Sequence, residues 1–365
     1  MKIIEICKAL EEFAPLHYQE SYDNAGVQVG NPNNEATAVL LCIDITEEVV
    51  NEAINKKCNL IISHHPLIFH PIKSLTGKNM VERCVIKAIA NNITIYSCHT
   101  NIDSVEGGVS FKMAEKIGLE NVSILSEAQG ELMKVVTYVP KNEAEQVRQA
   151  LFNAGAGCIG NYDKCSSNAN TDGTFRANDK AHPFVGNLGE YHIEPEIRIE
   201  TIFPAHLKSN IEKAICKSHP YEEPAYDFYK LENSYKKVGF GAVGTLKNEM
   251  KEVDFLGFLQ KKFQVDTIRH TNLLNKPIKK VALCGGSGSF LISAAKSVGA
   301  DIFITGDLKY PNFFEAENRL LIADIGHFES EQFTKEIFFE IIRKKIPNFV
   351  VYFSEVNTNP IKYYK

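Results

Sequence analysis

No stretch of this 365-residue sequence approaches the roughly 18 uncharged apolar residues of a membrane-spanning helix. A transmembrane protein is therefore not expected. The start, Met1-Lys2-Ile3-Ile4-Glu5-Ile6-Cys7-Lys8, returns to charge at once and lacks the apolar centre of a signal peptide. Positive charge is not in excess. Forty Lys and Arg face forty-five Asp and Glu, a formal net charge of −5, so no basic field draws a phosphate backbone and nucleic acid is not an expected partner. The nine cysteines include no CxxC pair and no dense spacing. An odd, scattered set reads as reduced thiols in a cytoplasmic protein, most of them small buried hydrophobes, and not as a disulfide framework.

The composition, 44% hydrophobic and 23% charged, is that of a globular protein. At roughly 150 residues per domain the length calls for two or three domains. Ala38-Val39-Leu40-Leu41-Cys42-Ile43 is a continuous apolar run, as a strand buried on both faces should be. Asp44 to Thr46 offer capping side chains for a helix over 47–57, with Val49, Val50, Ala53 and Ile54 on one face. Residues 59–63 and 93–97 are further apolar strands, and this rhythm argues for a parallel α/β sheet. The middle differs. A strand over 133–139, a helix over 143–154, a strand over 196–203, a helix over 207–216 and a strand over 225–231 follow a βαββαβ-type order, as in a ferredoxin-like module. Residues 160–195 between them are polar and rich in turn formers. After Lys237 the α/β rhythm returns, with strands over 281–284, 301–305 and 320–325 and a helix over 290–298. One α/β domain interrupted by an inserted module is the simplest architecture. The expected divisions are residues 1–128, 129–233 and 234–365.

The two α/β segments resemble each other. Val39-Leu40-Leu41-Cys42 aligns with Val281-Ala282-Leu283-Cys284. Without a gap, Ala53 then falls over Ala295, Ile61-Ile62-Ser63 over Phe303-Ile304-Thr305, and His64-His65 over Gly306-Asp307. At a second offset, Ile95-Tyr96-Ser97-Cys98-His99 sits over Ala323-Asp324-Ile325-Gly326-His327. A carboxylate follows four residues after each histidine, Asp103 and Glu331. Two similar halves with His and acid at strand ends suggest a pseudo-symmetric site, because ligands of open α/β sheets bind beyond the carboxyl ends of the strands.

His64 and His65 end a buried strand. In a regular strand adjacent side chains point to opposite sides, so the two cannot both chelate one ion but could serve two neighbouring ions. His327 and Glu331 are spaced to share a helix face. Imidazole mixed with carboxylate suits Zn, Mn or Fe, and a carboxylate can bridge two such ions. Taken singly, each histidine reads equally well as a hydrogen-bonded core or surface residue; jointly, metal binding is the better account. Gly285-Gly286-Ser287-Gly288-Ser289 joins strand to helix and reads first as a tight turn, second as an anion cradle, and it lacks the lysine of a P-loop. Gly239-Phe240-Gly241-Ala242-Val243-Gly244 spells GxGxxG but opens no βαβ unit, so it reads as a turn or strand junction. Lys309 and Tyr310 are candidates for holding a substrate anion or for plain surface. His219, in His219-Pro220-Tyr221-Glu222, is a possible ligand but reads better as part of a Pro-rich turn. No serine or cysteine nucleophile with a fixed His–acid partner is legible.

Together these residues resemble the Nif-three-like dinuclear-metal proteins, a family named GTP cyclohydrolase type 2 homologues. The resemblance covers most of the chain and rests on residues 21–30 (Ser-Tyr-Asp-Asn-Ala-Gly-Val-Gln-Val-Gly), Ser63-His64-His65-Pro66-Leu67, His99-Thr100-Asn101-Ile102-Asp103, Thr305-Gly306-Asp307-Leu308-Lys309-Tyr310 and Gly326-His327-Phe328-Glu329-Ser330-Glu331. It implies two divalent metal ions per chain, zinc first and iron or manganese next, in a cleft between two similar α/β halves. The ligands it implies are His64, His65, Asp103, His327 and Glu331, with Glu331 bridging and His99 close by. It also implies a PII/CutA-like insert carried by His219-Pro220-Tyr221-Glu222, and a toroidal homohexamer. Two positions depart from the family's pattern: Ala242 stands where members often have Arg, and Pro311 where they often have His. The expected function is a metal-dependent hydrolase acting on a nucleotide, phosphoester or pterin-like small molecule. The alternative is a non-catalytic metal-binding, metal-handling or regulatory protein, and a transcriptional partner ranks behind both because the chain carries no DNA-binding motif.

Overall fold

Apolar runs bounded by polar residues become strands covered on both faces. The computed structural model describes residues 1–364; Lys365, the last residue of the expected second half, lies outside the described residues. The chain divides into two compact units, Met1–Glu127 with Lys236–Lys365, and Ala128–Tyr235. Its strands in chain order are β1 (Gly26–Val29), β2 (Val39–Cys42), β3 (Leu60–Ser63), β4 (Thr94–Ser97), β5 (Leu119–Ala128), β6 (Leu132–Pro140), β7 (Ser167–Arg176), β8 (Tyr191–Pro204), β9 (Tyr226–Lys230), β10 (Tyr235–Lys251), β11 (Arg269–His270), β12 (Pro277–Ser287), β13 (Ile302–Gly306), β14 (Leu321–Asp324) and β15 (Val351–Phe353).

The first unit is mixed α/β and holds two sheets, ordered β1-β4-β3-β2-β15 and β11-β14-β13-β12-β10-β5. Each has three central parallel strands. In the first, Val39 pairs with Leu60 and Leu60 with Thr94. In the second, Val281 pairs with Ile302 and Ile302 with Leu321. The pairing of β2 with β3 therefore matches that of β12 with β13 over three successive pairs, after which the register of β12 shifts and Ser287 pairs with Gly306. The third strands match one step away from the sequence alignment above. Ser63 pairs with Ser97 and Thr305 with Asp324, which sets Ser97, not Tyr96, over Asp324. The strand register thus brings His99 over Gly326, and matching it to His327 requires one extra residue after β14.

Alternation explains the burial. Val281, Leu283, Ile302, Ile304, Leu321 and Ala323 pack against Phe255, Leu259 and Phe263 of helix Glu252–Phe263. Their neighbours Ala282, Cys284, Phe303 and Ile322 pack on the opposite face with Leu291, Ile292 and Ala295. In the first sheet Leu40, Cys42, Ile61 and Ile95 meet Val49, Val50 and Ala53 of one helix and Cys84, Val85 and Ala88 of another. Helix Glu47–Asn55 is capped by Thr46, whose hydroxyl accepts from Val49 N; Asp44, read in the sequence with the capping residues, is used elsewhere.

The second unit is a four-stranded antiparallel sheet ordered β7-β8-β6-β9 with two helices, Ala144–Asn153 and Lys208–Ser218. Val147, Leu151, Ile211 and Ile215 from the helices pack on Val135, Val139, Ile199 and Phe203. Here the sequence reading of 160–195 as polar turns is corrected. Ser167 to Arg176 form an edge strand paired along its length with residues 191–200 of β8. Its side chains are mostly exposed, so neither face carries an apolar period that would announce a strand. The GxGxxG segment lies inside β10, with Ala242 paired to Leu283 and Gly244 to Val281, which places it in strand and not in a turn. All nine cysteines are free. Among the described residues no helix is long and apolar enough to cross a membrane.

Candidate metal centre

Parallel strands all end on one side, so the residues just beyond them are brought together. β2 delivers Asp44, β3 delivers His64 and His65, and β4 delivers His99 and Asp103; β13 delivers Asp307, and β14 delivers His327 and Glu331. Because β3 ends at Ser63, strand alternation does not govern the two histidines after it. Both turn the same way, their rings 4.8 Å apart. His327 and Glu331 lie on one face of a five-residue helix, four residues apart.

Every histidine of the cluster is held from outside through Nδ1. His64 Nδ1 lies 3.0 Å from the Cys98 carbonyl, His65 Nδ1 2.7 Å from Asp44 Oδ1, His99 Nδ1 2.8 Å from Asp23 Oδ1 and His327 Nδ1 2.7 Å from Asp307 Oδ2. An acceptor at Nδ1 places the proton there and leaves an Nε2 lone pair. For His64, His65 and His327 those lone pairs converge on Glu331. Its Oε2 is 3.5 Å from His64 Nε2, 3.0 Å from His65 Nε2 and 3.1 Å from His327 Nε2. Asp103 Oδ1 lies 3.8 Å from His64 Nε2. Three buried atoms in this cluster have no hydrogen-bond partner: His64 Nε2, Asp103 Oδ1 and Glu331 Oε2.

A native fold does not leave several buried lone pairs facing one another, since each unsatisfied group costs about 1–3 kcal/mol. Positive charge resolves the conflict. Burial opposes charging His65, but its hydrogen bonds to Asp44 and Glu331 carry it up to about 10. His327, likewise opposed by burial, is carried up to about 11 by Asp307 and Glu331. Burial and then the Glu331 charge push the Asp103 carboxyl well above the usual range. Glu331 is held well below it by His64, His327 and His65 in spite of its burial, whereas burial, with the neighbouring His65 and His99, lowers His64 against the pull of Glu331. Three overlapping sets have geometry able to hold a metal ion: His64 with His65 and His99, His65 with His327 and Glu331, and His64 with Asp103 and Glu331.

The glycine-rich loop serves this cluster. Gly286 has φ +61°, and a Cβ on it would run into Glu331 Oε1. Its N–H donates to Ser330 Oγ at 2.9 Å. The loop is thus a tight approach that makes room for the carboxylate. A cleft of about 560 Å³ opens over the cluster, lined by Glu20, Tyr22, Ser126, Phe240, Ser287 and Phe290 with His99, Asp103, His327 and Glu331. Lys309 and Tyr310 do not line it, and Tyr310 is exposed at the start of a short 3-10 helix. His219, in the second unit, has both ring nitrogens engaged by backbone, Nε2 with the Tyr138 carbonyl and Nδ1 accepting from Tyr221 N; it belongs to its turn.

The structure brings together all five residues named from the sequence, His64, His65, Asp103, His327 and Glu331, with His99 beside them. The sequence reading missed Asp23, Asp44 and Asp307 as partners of His99, His65 and His327. Asp23 and Asp307 stand in the quoted motifs without a role, and only their spatial pairing supplies one.

The Duf34/NIF3 (NGG1p interacting factor 3) family model matches residues 1–360. The chain is 36% identical over 368 residues to the GTP cyclohydrolase 1 type 2 homolog of Bacillus subtilis, covering 98% of both. It is 36% identical over 370 residues to the protein of the same name from Staphylococcus epidermidis, covering 100% of both. The crystal structure of a Bacillus cereus protein related to NIF3 superposes with a TM-score of 0.86 at 37% identity, covering 100% of this chain and 99% of that one.

Proposed function

The chain belongs to the Duf34/NIF3 family, and from that premise we propose that it is a metal-dependent hydrolase built around two divalent ions. His65 and His327 would hold one ion and His64 and Asp103 the other, with Glu331 bridging. His99 completes the set from the cleft side. The observation that carries this reading is the convergence of three Nε2 atoms on Glu331 Oε2, each ring oriented by an outer acid or carbonyl, with His64 Nε2, Asp103 Oδ1 and Glu331 Oε2 left without partners. Imidazole with carboxylate suits zinc first, and iron or manganese next. When bound, such a pair supplies Lewis acidity and acidifies water at neutral pH.

The protein's own part is positional. Asp44 and Asp307 fix the two rings, and the Gly286 backbone fixes Glu331. Phe240 and Phe290, their rings 5.4 Å apart and nearly perpendicular, give the cleft apolar faces suited to a planar ring. Ser126 and Ser287 add hydroxyls to the lining. Among the described residues no lysine or arginine lines it, so a substrate phosphate or ring carbonyl would be met by the ions. A nucleotide, phosphoester or pterin-like compound fits these demands. We read residues 129–233 as a ferredoxin-like, PII/CutA-like insertion between two similar halves, supported by the β7-β8-β6-β9 order and by the matching pairings of β2–β3 and β12–β13. We further expect a homohexamer in the cytoplasm, where nine unpaired cysteines would stay reduced.

The test is turnover by protein reconstituted with Zn, Mn or Fe across a panel of nucleotides, phosphoesters and pterins. Activity lost in Glu331→Gln with the fold intact supports the hydrolase. Full metal occupancy without turnover on the whole panel would replace it with the non-catalytic, metal-handling reading.

A further inference from the structure

The second unit carries a cavity of its own, about 430 Å³ in volume. Along β8 the residues Ile197, Ile199 and Phe203 pack with the helices, so Glu196, out of step with them, points to the opposite face of the sheet. There it forms part of the cavity wall although it is only 6% exposed. Tyr221 Oη donates to Glu196 Oε1 at 2.8 Å. From the adjacent edge strand Gly173 faces the carboxylate, and a Cβ there would run into it. A side chain at 173 would therefore displace Glu196. Above the carboxylate three aromatic rings meet: the centroids of Phe175 and Phe184 lie 6.2 and 6.4 Å from that of Tyr221.

Carboxylates dominate the charged lining of this cavity. Glu222 and Glu223 line it along with Glu196 and His182, and among the described residues no lysine or arginine does; the Asp172 side chain, out of step with Gly173 on its strand, turns to the other face. Anions such as nucleotides or free phosphate are repelled by such a lining. A carboxylate sharing a cavity with three aromatic rings, with no lysine or arginine among the described lining residues, has the chemistry of organic-ammonium recognition. The ring faces attract the cation electrostatically, the carboxylate neutralises it, and the enclosed walls accept its alkyl groups. We propose that this cavity binds a small organic cation, an alkyl- or quaternary-ammonium group seated on Glu196 between Phe175, Phe184 and Tyr221. Burial raises the Glu196 carboxyl above its ordinary range, and a cation seated against it would draw it back down by favouring the charged form. The site belongs to the second unit, whereas the metal cluster belongs to the first.

The experiment titrates the full-length protein with choline, with n-butylammonium, and with 3,3-dimethylbutan-1-ol, the uncharged isostere of choline, by calorimetry and ligand-observed NMR. At least one cation is expected to bind roughly tenfold or more tightly than the alcohol, as loss of the charge removes both the cation–π and carboxylate attraction. Comparing the two cations separates quaternary from primary ammonium. Glu196→Gln and Gly173→Ala should each weaken binding about tenfold, with circular dichroism and metal content unchanged. Phe184 is 54% exposed, so Phe184→Ala keeps the fold and tests the aromatic wall even if a variant at the buried positions does not fold. Failure of both cations to bind at millimolar concentration would overturn the proposal. So would equal affinity for the alcohol, or folded variants that bind as wild type does.

Discussion

His65 Nε2 and His327 Nε2 stand 3.2 Å apart although 262 residues separate them in the chain. Each ring donates its other nitrogen's proton to an aspartate, Asp44 for His65 and Asp307 for His327. Two lone pairs so held repel one another, and Glu331 Oε2, within 3.0 and 3.1 Å of the pair, adds a third. Such an arrangement is stable with a cation at its centre, and each expectation below depends on that cation.

Protein purified without chelator is expected to carry about two divalent ions per chain, the count of a bridged hydrolytic centre. Glu331 would bridge both ions, whereas His64 would hold only one. Glu331→Ala should therefore lose most of the metal, and His64→Ala about half. Mass-spectrometric metal analysis with circular dichroism decides the matter. Less than half an ion per chain after reconstitution with Zn, Mn and Fe would sink the dinuclear reading.

The outer acids should matter almost as much as the ligands. Asp44→Asn and Asp307→Asn keep size but lose the charge that fixes ring tautomer and orientation. Partners of this kind are typically worth 10–100-fold in metal affinity, and that loss is expected here; the metal-free protein should lose stability as well, because each aspartate pairs with a histidine it helps to hold charged. Competition with a chromophoric chelator measures the affinity. Unchanged affinity in both variants would show that the rings are held by packing alone.

Metal affinity should rise with pH. In the metal-free protein His65 and His327 are carried up to about 10 and about 11, so both hold protons at neutral pH. The raised Asp103 carboxyl acts in the same direction, whereas His64, lowered by burial, has no proton to lose. A metal takes the same Nε2 lone pairs, so the bound state carries fewer protons than the free state. Binding then releases protons, and affinity climbs by up to roughly two decades per pH unit near neutrality. Affinities that agree at about pH 6 and about pH 8 would contradict this.

The strand ends that build the site were legible because their strands are buried on both faces. Runs such as Val39–Cys42 and Ile302–Gly306 announce themselves by unbroken apolarity, and the polar residues that follow them stand out. Asp44 was not legible in its role. It follows a strand and precedes a helix, where an aspartate is most simply a cap, and its link to His65 is made in space. β7 was illegible for the opposite reason: with both faces polar, only its partner β8 makes it a strand. The one-residue shift between His99 and His327 was hidden as well, since strand register is set by pairing and loop length, which the alignment of letters does not see.

Gly286→Ala tests the link between the backbone and the site. At φ +61° a left-handed backbone costs an alanine roughly 1–2 kcal/mol, which chemical denaturation of the metal-free protein reads directly. The larger consequence is local. The added Cβ would run into Glu331 Oε1, and the short helix bearing Glu331 also bears His327. Moving one moves the other away from His65. The variant should thus lose metal as severely as Glu331→Ala while its stability falls only by the backbone term. Gly299 offers the control: it too has positive φ, +69°, but open space where a Cβ would lie. Gly299→Ala should show a similar stability loss and full metal content. If both variants keep their metal, the carboxylate has room to adjust and the close approach at Gly286 does not position it.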